Sequence, residues 1–188
     1  AGATLVCAKH LAPKNITKIG ICGTGTQAHA ILSMTPYVLN CRKVLVHGYT
    51  KELTDCFVEE FRKKGFDIEP AYDVRKICDE CIYIVTATTT TTPYITADMV
   101  RPGTHITGVG ADAGGKNEIA ADVFAKADIV VNDSTSQCFS DGDTSFALKA
   151  GTITKEEVIE LGTLIHEGKG RENDEQITVA DLTGIAVQ

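Results

Sequence analysis

The sequence has no apolar run approaching the roughly 20 residues that span a bilayer. It opens on no basic segment followed by an apolar stretch. Neither a membrane span nor a secretory leader is therefore expected, and the expected location is cytoplasmic. Basic clusters are scarce: none is longer than Arg62-Lys63-Lys64, and the formal net charge is −7. Nucleic-acid partners call for a basic face, so none is expected. Those three cations fall late in a helical pattern, where positive charge suits the helix dipole. No internal repeat and no linker divides the chain, so residues 1–188 are expected to form a single domain.

Cysteine is not scarce, but its number is odd: Cys7, Cys22, Cys41, Cys56, Cys78, Cys81 and Cys138. Several fall inside apolar patterns. With no leader in front, that usage fits a reducing compartment and cysteines serving as small hydrophobes. Cys78-Asp-Glu-Cys81 has the spacing of redox and zinc sites. A zinc site needs a second pair of ligands, and none lies nearby in sequence. No metal is expected.

What is present suits a soluble α/β protein. Hydrophobic residues make up 43% and charged residues 23%, ordinary values for a globular chain. Short apolar runs alternate with amphipathic stretches. Strands are expected at residues 18–22, 43–47, 66–69, 81–87, 105–109, 128–131 and 177–180. Helices are expected at 1–11, 27–34, 51–64, 73–78 and 118–126. The second helix stops at or before Pro36. The third is marked by Leu53, Phe57, Val58 and Phe61, with Gly65 as its stop. A further helix is expected over 154–166, with Thr154 and Glu157 as a capping box and Val158, Leu161 and Ile165 on one face. Strands apolar on both faces and separated by helices indicate a doubly wound, mainly parallel sheet of six or seven strands in three layers.

The motif with the clearest chemistry is Gly23-Thr24-Gly25-Thr26-Gln27-Ala28, a G-x-G-x-x-A turn between a strand and a helix. Gly23 permits a tight turn. Gly25 lacks a side chain, so a pyrophosphate can approach the backbone, and Ala28 lets helix and strand pack closely. The free N–H groups of the new helix favour the phosphate charge. A tight turn with no ligand is the plainer alternative. No lysine follows in the pattern of a mononucleotide loop. NAD-preferring proteins place an acid at the end of the second strand for the ribose 2′-OH. Here that segment reads Val46-His47-Gly48-Tyr49-Thr50-Lys51. A 2′-phosphate would meet no repulsion there, and Thr50, Lys51 or Arg42 are its candidate contacts. The cofactor is therefore expected to be NAD or NADP, with a lean to NADP. His105, inside a strand pattern, reads as a packed core histidine, and His29 as a surface or satisfied one.

Further segments point to a family. Arg101-Pro-Gly-Thr-His-Ile-Thr-Gly-Val-Gly-Ala-Asp-Ala-Gly-Gly-Lys-Asn-Glu118 resembles the signature of the ornithine cyclodeaminase/mu-crystallin family. So do the glycine turn, Ile84-Val-Thr-Ala-Thr-Thr-Thr90 and the closing Ile177-Thr-Val-Ala-Asp-Leu-Thr-Gly-Ile-Ala-Val-Gln188. The matches keep their order across almost the whole chain. The resemblance implies a Rossmann domain whose substrate and dimerisation domain, with its substrate-binding Arg and Lys, would fall before residue 1. The family's final helix would follow residue 188. The chain then resembles an excised domain, inactive alone, of a homodimeric parent acting on a small amino acid.

The resemblance also implies roles. Thr24, Gly25, Thr26 and Gln27 would hold the pyrophosphate, beside Gly23. Gly48, Tyr49 and Thr50 would meet the adenosine ribose. Thr86, Ala87 and Thr88 would line the adenosine side and the cofactor cleft at the strand's carboxyl end. Val109 and Gly110 would lie by the nicotinamide, with Lys116 near the cofactor. Asp112 matches the cyclodeaminase carboxylate that does acid/base work between amine, ammonia and water. The implied activity is ornithine cyclodeamination: amino-acid oxidation, ring closure with ammonia loss and hydride return. The alternatives are an alanine-type dehydrogenase or ketimine reductase, and a mu-crystallin-like NADP(H) binder. Read without the resemblance, Asp112 is better taken as merely ordering the Gly114-Gly115 turn, and the resemblance reverses that.

Overall fold

The structure, a computed structural model, describes residues 1–184. The last four residues of the closing segment quoted above, 185–188, lie outside the described residues. Eight strands form one all-parallel sheet: β1 (Ile19–Cys22), β2 (Lys43–His47), β3 (Asp67–Pro70), β4 (Tyr83–Thr86), β5 (His105–Gly108), β6 (Ile129–Asn132), β7 (Val158–Glu160) and β8 (Thr178–Asp181). Their order is β3-β2-β1-β4-β5-β8-β6-β7. Every residue of β1, β4, β5 and β8 is buried, which is why these strands read as continuous apolar runs rather than as alternation.

Alternate strand residues feed two faces. On one, Leu45, Ile84, Ile106, Val130 and Val179 pack with α4 (Val74–Glu80), α5 (Ala121–Lys126) and α7 (Asp143–Ala150). On the other, Ile19, Ile21, Val44, Val46, Tyr83 and Val85 pack with α1 (Gly2–Leu11), α2 (Thr26–Met34) and α3 (Lys51–Lys63). The sheet is thus the middle of three layers, the Rossmann-like arrangement expected. Helix α3 shows the logic of its sequence. Thr50 caps it by accepting from the Leu53 N–H at 3.3 Å. Phe57 and Phe61 stack at 4.6 Å and are buried, each contributing roughly 1.5–3 kcal/mol by leaving water. Gly65 follows at φ +85°, the left-handed stop that glycine favours.

Three expectations need correction. Residues 154–166 are not one helix: a single 3-10 turn (Lys155–Glu157) leads into edge strand β7, and only Leu161–His166 (α8) is helical. The capping box is real, with the Thr154 N–H donating to Glu157 at 2.6 Å, but it closes one turn only. Val158 pairs with Val130 of β6, a lateral partner that helical spacing cannot reveal. Ile165 is 42% exposed and shares no buried face with Leu161. This strand raises the count to eight. The stretch 118–126 is helical only from Ala121, and two further helices are present: α6 (Thr135–Cys138), a single turn, and α7, whose buried positions carry the polar Asp143, Thr144 and Ser145 and so show no apolar stripe.

Cys78 and Cys81 lie in the core. Burial pushes their thiols up to about 11 and about 12, so neither supplies a thiolate near neutral pH. His105 is buried, stacks on Tyr83 at 5.6 Å and shares a hydrogen bond with the Thr178 hydroxyl at 2.8 Å. Burial holds it neutral, down to about 3. No helix of the described residues is long and apolar enough to cross a membrane.

Candidate functional site

The chain leaves β1, builds outward through β2 and β3, then returns to place β4 on the other side of β1. Ligands of such sheets bind at the carboxyl ends of the strands where this reversal occurs. A cleft of 680 Å³ opens there, lined by Gly23, Thr24 and Gly25 after β1, His47, Gly48 and Tyr49 after β2, and Ala87 to Thr91 after β4, with Val74 and Tyr94 closing it. Small-molecule sites span roughly 300–1,000 Å³.

The two glycines of the turn do different work. Gly23 has φ +118°, and a Cβ there would lie 2.3 Å from the Ala87 carbonyl oxygen. Its bareness lets β1 and β4 end side by side, with the Ala87 N–H donating to Cys22 at 2.7 Å and the Gly23 N–H to His47 at 2.7 Å. Gly25 is the N-cap of α2 with φ −84°, and a Cβ there would meet nothing within 4 Å. That open space faces the first N–H groups of α2, which have no partner within the helix. Thr26 and Gln27 are exposed on this first turn, and Ala28 is buried against the sheet.

At the adenosine side, Tyr49 is 95% exposed and Thr50 caps α3. The Gly48 N–H donates to the Thr54 hydroxyl at 3.0 Å. A Cβ at 48 would lie 2.7 Å from that hydroxyl oxygen and 2.8 Å from Thr24 Cγ2, so a side chain there would displace both threonines. None of the cleft-lining residues is acidic. Lys51 pairs with Asp55. Arg42 precedes β2 and stacks over Phe66, at the far end of the strand, roughly 16 Å from the cleft at ~3.3 Å per residue. It is not a cofactor contact.

At the β4–β5 side the organising group is one that composition and periodicity passed over. Glu118 is completely buried, in the loop before α5. Its Oε1 accepts from the Thr88 N–H (2.7 Å), the Thr88 hydroxyl (2.7 Å) and the Tyr94 hydroxyl (3.0 Å). Its Oε2 accepts from the Thr86 hydroxyl (2.9 Å) and the Gly110 N–H (2.7 Å). Thr86 is therefore fully buried and turned from the cleft, and both donors of Thr88 are engaged. Val109 and Gly110 are half-buried at the end of β5. Asp112 and Lys116 lie beyond them on the same loop, paired with each other and outside the cleft lining. The structure thus brings together Gly23, Thr24, Gly25, Gly48, Tyr49, Ala87 and Thr88, and leaves Asp112 and Lys116 apart. His47, Thr89, Thr90, Thr91, Val74 and Tyr94 are additions.

Behind Glu118 lies a second acidic layer. Asp143 accepts from the Glu118 and Ile119 N–H groups at 2.7 and 3.2 Å, and its Oδ2 has no partner. Asp181 accepts from the Thr144 N–H and hydroxyl at 2.7 and 2.6 Å, and its Oδ1 has none. Burial, then the charge of Asp181, pushes the Asp143 carboxyl well up. Burial pushes Asp181 from 3.8 to about 6. The folded chain therefore holds protons that the unfolded chain releases. Stability from this pair is complete below pH 3.8 and falls as pH rises through 6. Asparagine at 143 keeps the acceptor and puts an amide donor at the orphaned oxygen. Asp143→Asn is expected to raise Tm by roughly 2–6 °C at pH 8, with a smaller gain at pH 5. Melting curves at the two pH values decide it, and an equal gain at both would exclude carboxyl ionisation as the cause.

Known proteins are similar to this chain in sequence and fold. The alanine dehydrogenase of Archaeoglobus fulgidus is 35% identical over 187 residues, 97% of this chain and 56% of that protein. An uncharacterized cyclodeaminase of Sinorhizobium fredii is 33% identical over 191 residues, covering 100% of this chain and 58% of its own. The Delta(1)-pyrroline-2-carboxylate reductase of Thermococcus litoralis, solved with NADH and L-proline, superposes with a TM-score of 0.91 at 30% identity, over 97% of this chain and 57% of its own. The chain spans little more than half the length of these relatives. The family model described as ornithine cyclodeaminase/mu-crystallin matches residues 1–188. With the glycine turn, the threonine-lined cleft and these matches in agreement, the chain belongs to the ornithine cyclodeaminase/mu-crystallin family.

Proposed function

We propose that this chain is the NAD(P)-binding part of an enzyme that oxidises or reduces a small amino or imino acid at its nitrogen-bearing carbon. The observation that carries this reading is the bare surface at Gly25, open to the cleft and backed by the first N–H groups of α2. A bound nicotinamide would supply or accept the hydride. The chain's own residues do the rest. The Gly23–Gln27 turn holds the diphosphate. Gly48, Tyr49 and Thr50 meet the adenosine ribose, and Ala87 and Thr88 border the nicotinamide ribose. Val109 and Gly110 bound the nicotinamide edge, while Lys116 stays paired with Asp112 outside the cleft.

The named activities of the A. fulgidus and T. litoralis relatives support net redox chemistry, as in an amino-acid dehydrogenase or imine reductase. The S. fredii relative supports a second reading, cyclodeamination of ornithine or a similar diamino acid. In that reading Asp112, exposed beyond Gly110 on the β5 side, moves protons between amine, ammonia and water. The chain spans only 56–58% of these relatives, which supports a longer, homodimeric parent and no turnover by residues 1–188 alone, and its free cysteines fit a cytoplasmic setting.

Titration of the chain with NADH and NADPH tests the binding claim. Both are expected to bind, NADPH more tightly, because no carboxylate lines the cleft against a 2′-phosphate. Tighter NADH binding would reverse that preference, and binding of neither would remove the reading. Turnover of any amino acid by these 188 residues would refute the expected dependence on a further domain. Ammonia release without net change in nicotinamide absorbance, in the parent enzyme, would select cyclodeamination.

A further inference from the structure

We infer that Glu118 is the positioning residue of the nicotinamide half of the cleft, acting as a carboxylate clasp that fixes the ends of β4 and β5 before any ligand arrives. The inference rests on the dinucleotide reading above and adds to it a residue that never touches the cofactor.

Three segments of chain converge on the one carboxylate. Thr86 and Thr88 come from the end of β4, Tyr94 from the loop that follows, and Gly110 from the end of β5. Thr88 and Tyr94 line the cleft, whereas Glu118 is completely buried behind them. Five donors engage two oxygens, so the lone pairs are used up and none is left for a ligand. Glu118 acts only through the residues it holds. Gly110 fits this role: a Cβ there would lie 2.1 Å from the Thr88 carbonyl oxygen and 2.5 Å from Glu118 Oε2. The β4 and β5 ends are therefore pressed together around the carboxylate.

The donor geometry also specifies the chemical group. Hydroxyl donors can rotate and become acceptors, but backbone N–H groups cannot. One fixed N–H faces each oxygen, Thr88 at Oε1 and Gly110 at Oε2. An amide in this place would turn its NH2 towards one of them in either orientation. Glu118→Gln, conservative on most surfaces, is here a disruption of one wall of the cleft. The adenosine half rests on β1, β2 and α3 and shares none of these bonds.

The test compares two ligands on one variant. Calorimetric titration of wild-type chain and Glu118→Gln would use the tighter-binding of NADH and NADPH, and ADP, which reaches only the adenosine and diphosphate subsites. The expected result is a loss of about tenfold or more for the dinucleotide, ADP affinity within about twofold of wild type, and a reduced blue shift of nicotinamide fluorescence. Equal losses for both ligands would mean that Glu118 merely supports the fold, and would overturn the inference. So would unchanged dinucleotide affinity in a folded variant. Should Glu118→Gln fail to fold, Thr86→Val removes one buried donor that faces away from the cleft and spares both backbone bonds. It should weaken the dinucleotide about threefold or more with ADP unchanged, and no change would overturn the inference. A wild-type chain that binds ADP but neither dinucleotide would sink the dinucleotide reading first, and this inference with it.

Discussion

Replacing Gly25 by valine is expected to remove dinucleotide binding and leave the fold standing. The residue sits at φ −84° and ψ −175°, a conformation open to any side chain. A Cβ there meets no atom within 4 Å, so nothing in the protein resists the substitution. Valine is a poorer N-cap than glycine, which costs about 1 kcal/mol or less and moves Tm by roughly 2–4 °C. The branched side chain fills the space through which a diphosphate reaches the α2 N–H groups. Loss of those charge-assisted bonds should weaken binding on the order of a hundredfold, about 2.8 kcal/mol at 1.4 kcal/mol per tenfold. Titration with both dinucleotides, beside a melting curve, reads the two effects separately. Wild-type affinity in Gly25→Val would show that the ligand does not use this turn.

Gly23→Ala should do the reverse and damage the fold first. Its φ of +118° lies where L side chains are strained, and the new methyl would sit 2.3 Å from the Ala87 oxygen and 2.8 Å from the Ala87 carbonyl carbon. Those are backbone atoms at the end of an interior strand, so no rotamer change relieves the contact. Backbone strain of about 1–3 kcal/mol adds to an overpacking cost of similar size. The expected destabilisation is about 3 kcal/mol or more, read as a lower urea midpoint at unchanged m. A midpoint within error of wild type would mean that β1 and β4 separate easily at this edge. Two glycines two residues apart thus serve different masters, one the sheet and the other the ligand.

The sheet itself was legible. Runs such as KVLVH and IVT announce strands buried on both faces, and Thr50, Phe57, Phe61 and Gly65 mark the whole course of α3. The glycine turn located the reversal point. What stayed hidden shares one physical cause: its residues are governed by partners distant in sequence. Val158 becomes a strand because β6 lies beside it. Asp143 and Thr144 open a buried helix because Asp181, 37 residues on from Thr144, caps it. Glu118 closes the quoted signature, yet its spacing from Thr86 and Thr88, 32 and 30 residues back, belongs to no local pattern. The resemblance singles out Asp112, while Glu118 and Asp181 organise the interior from within its segments and Asp143 from outside them.

The strand order carries a consequence for how the molecule comes into being. Among the described residues the strand latest in sequence, β8, lies between β5 and β6 rather than at a rim. Until Thr178–Asp181 emerges and inserts, the hairpin-less pair β6–β7 has no lateral attachment to the β1–β5 platform. Before that insertion the sheet is two ribbons whose facing edges both await one segment distant in sequence. Thr178–Asp181 acts as a keystone, and the sheet becomes one cooperative unit only once this segment is in place.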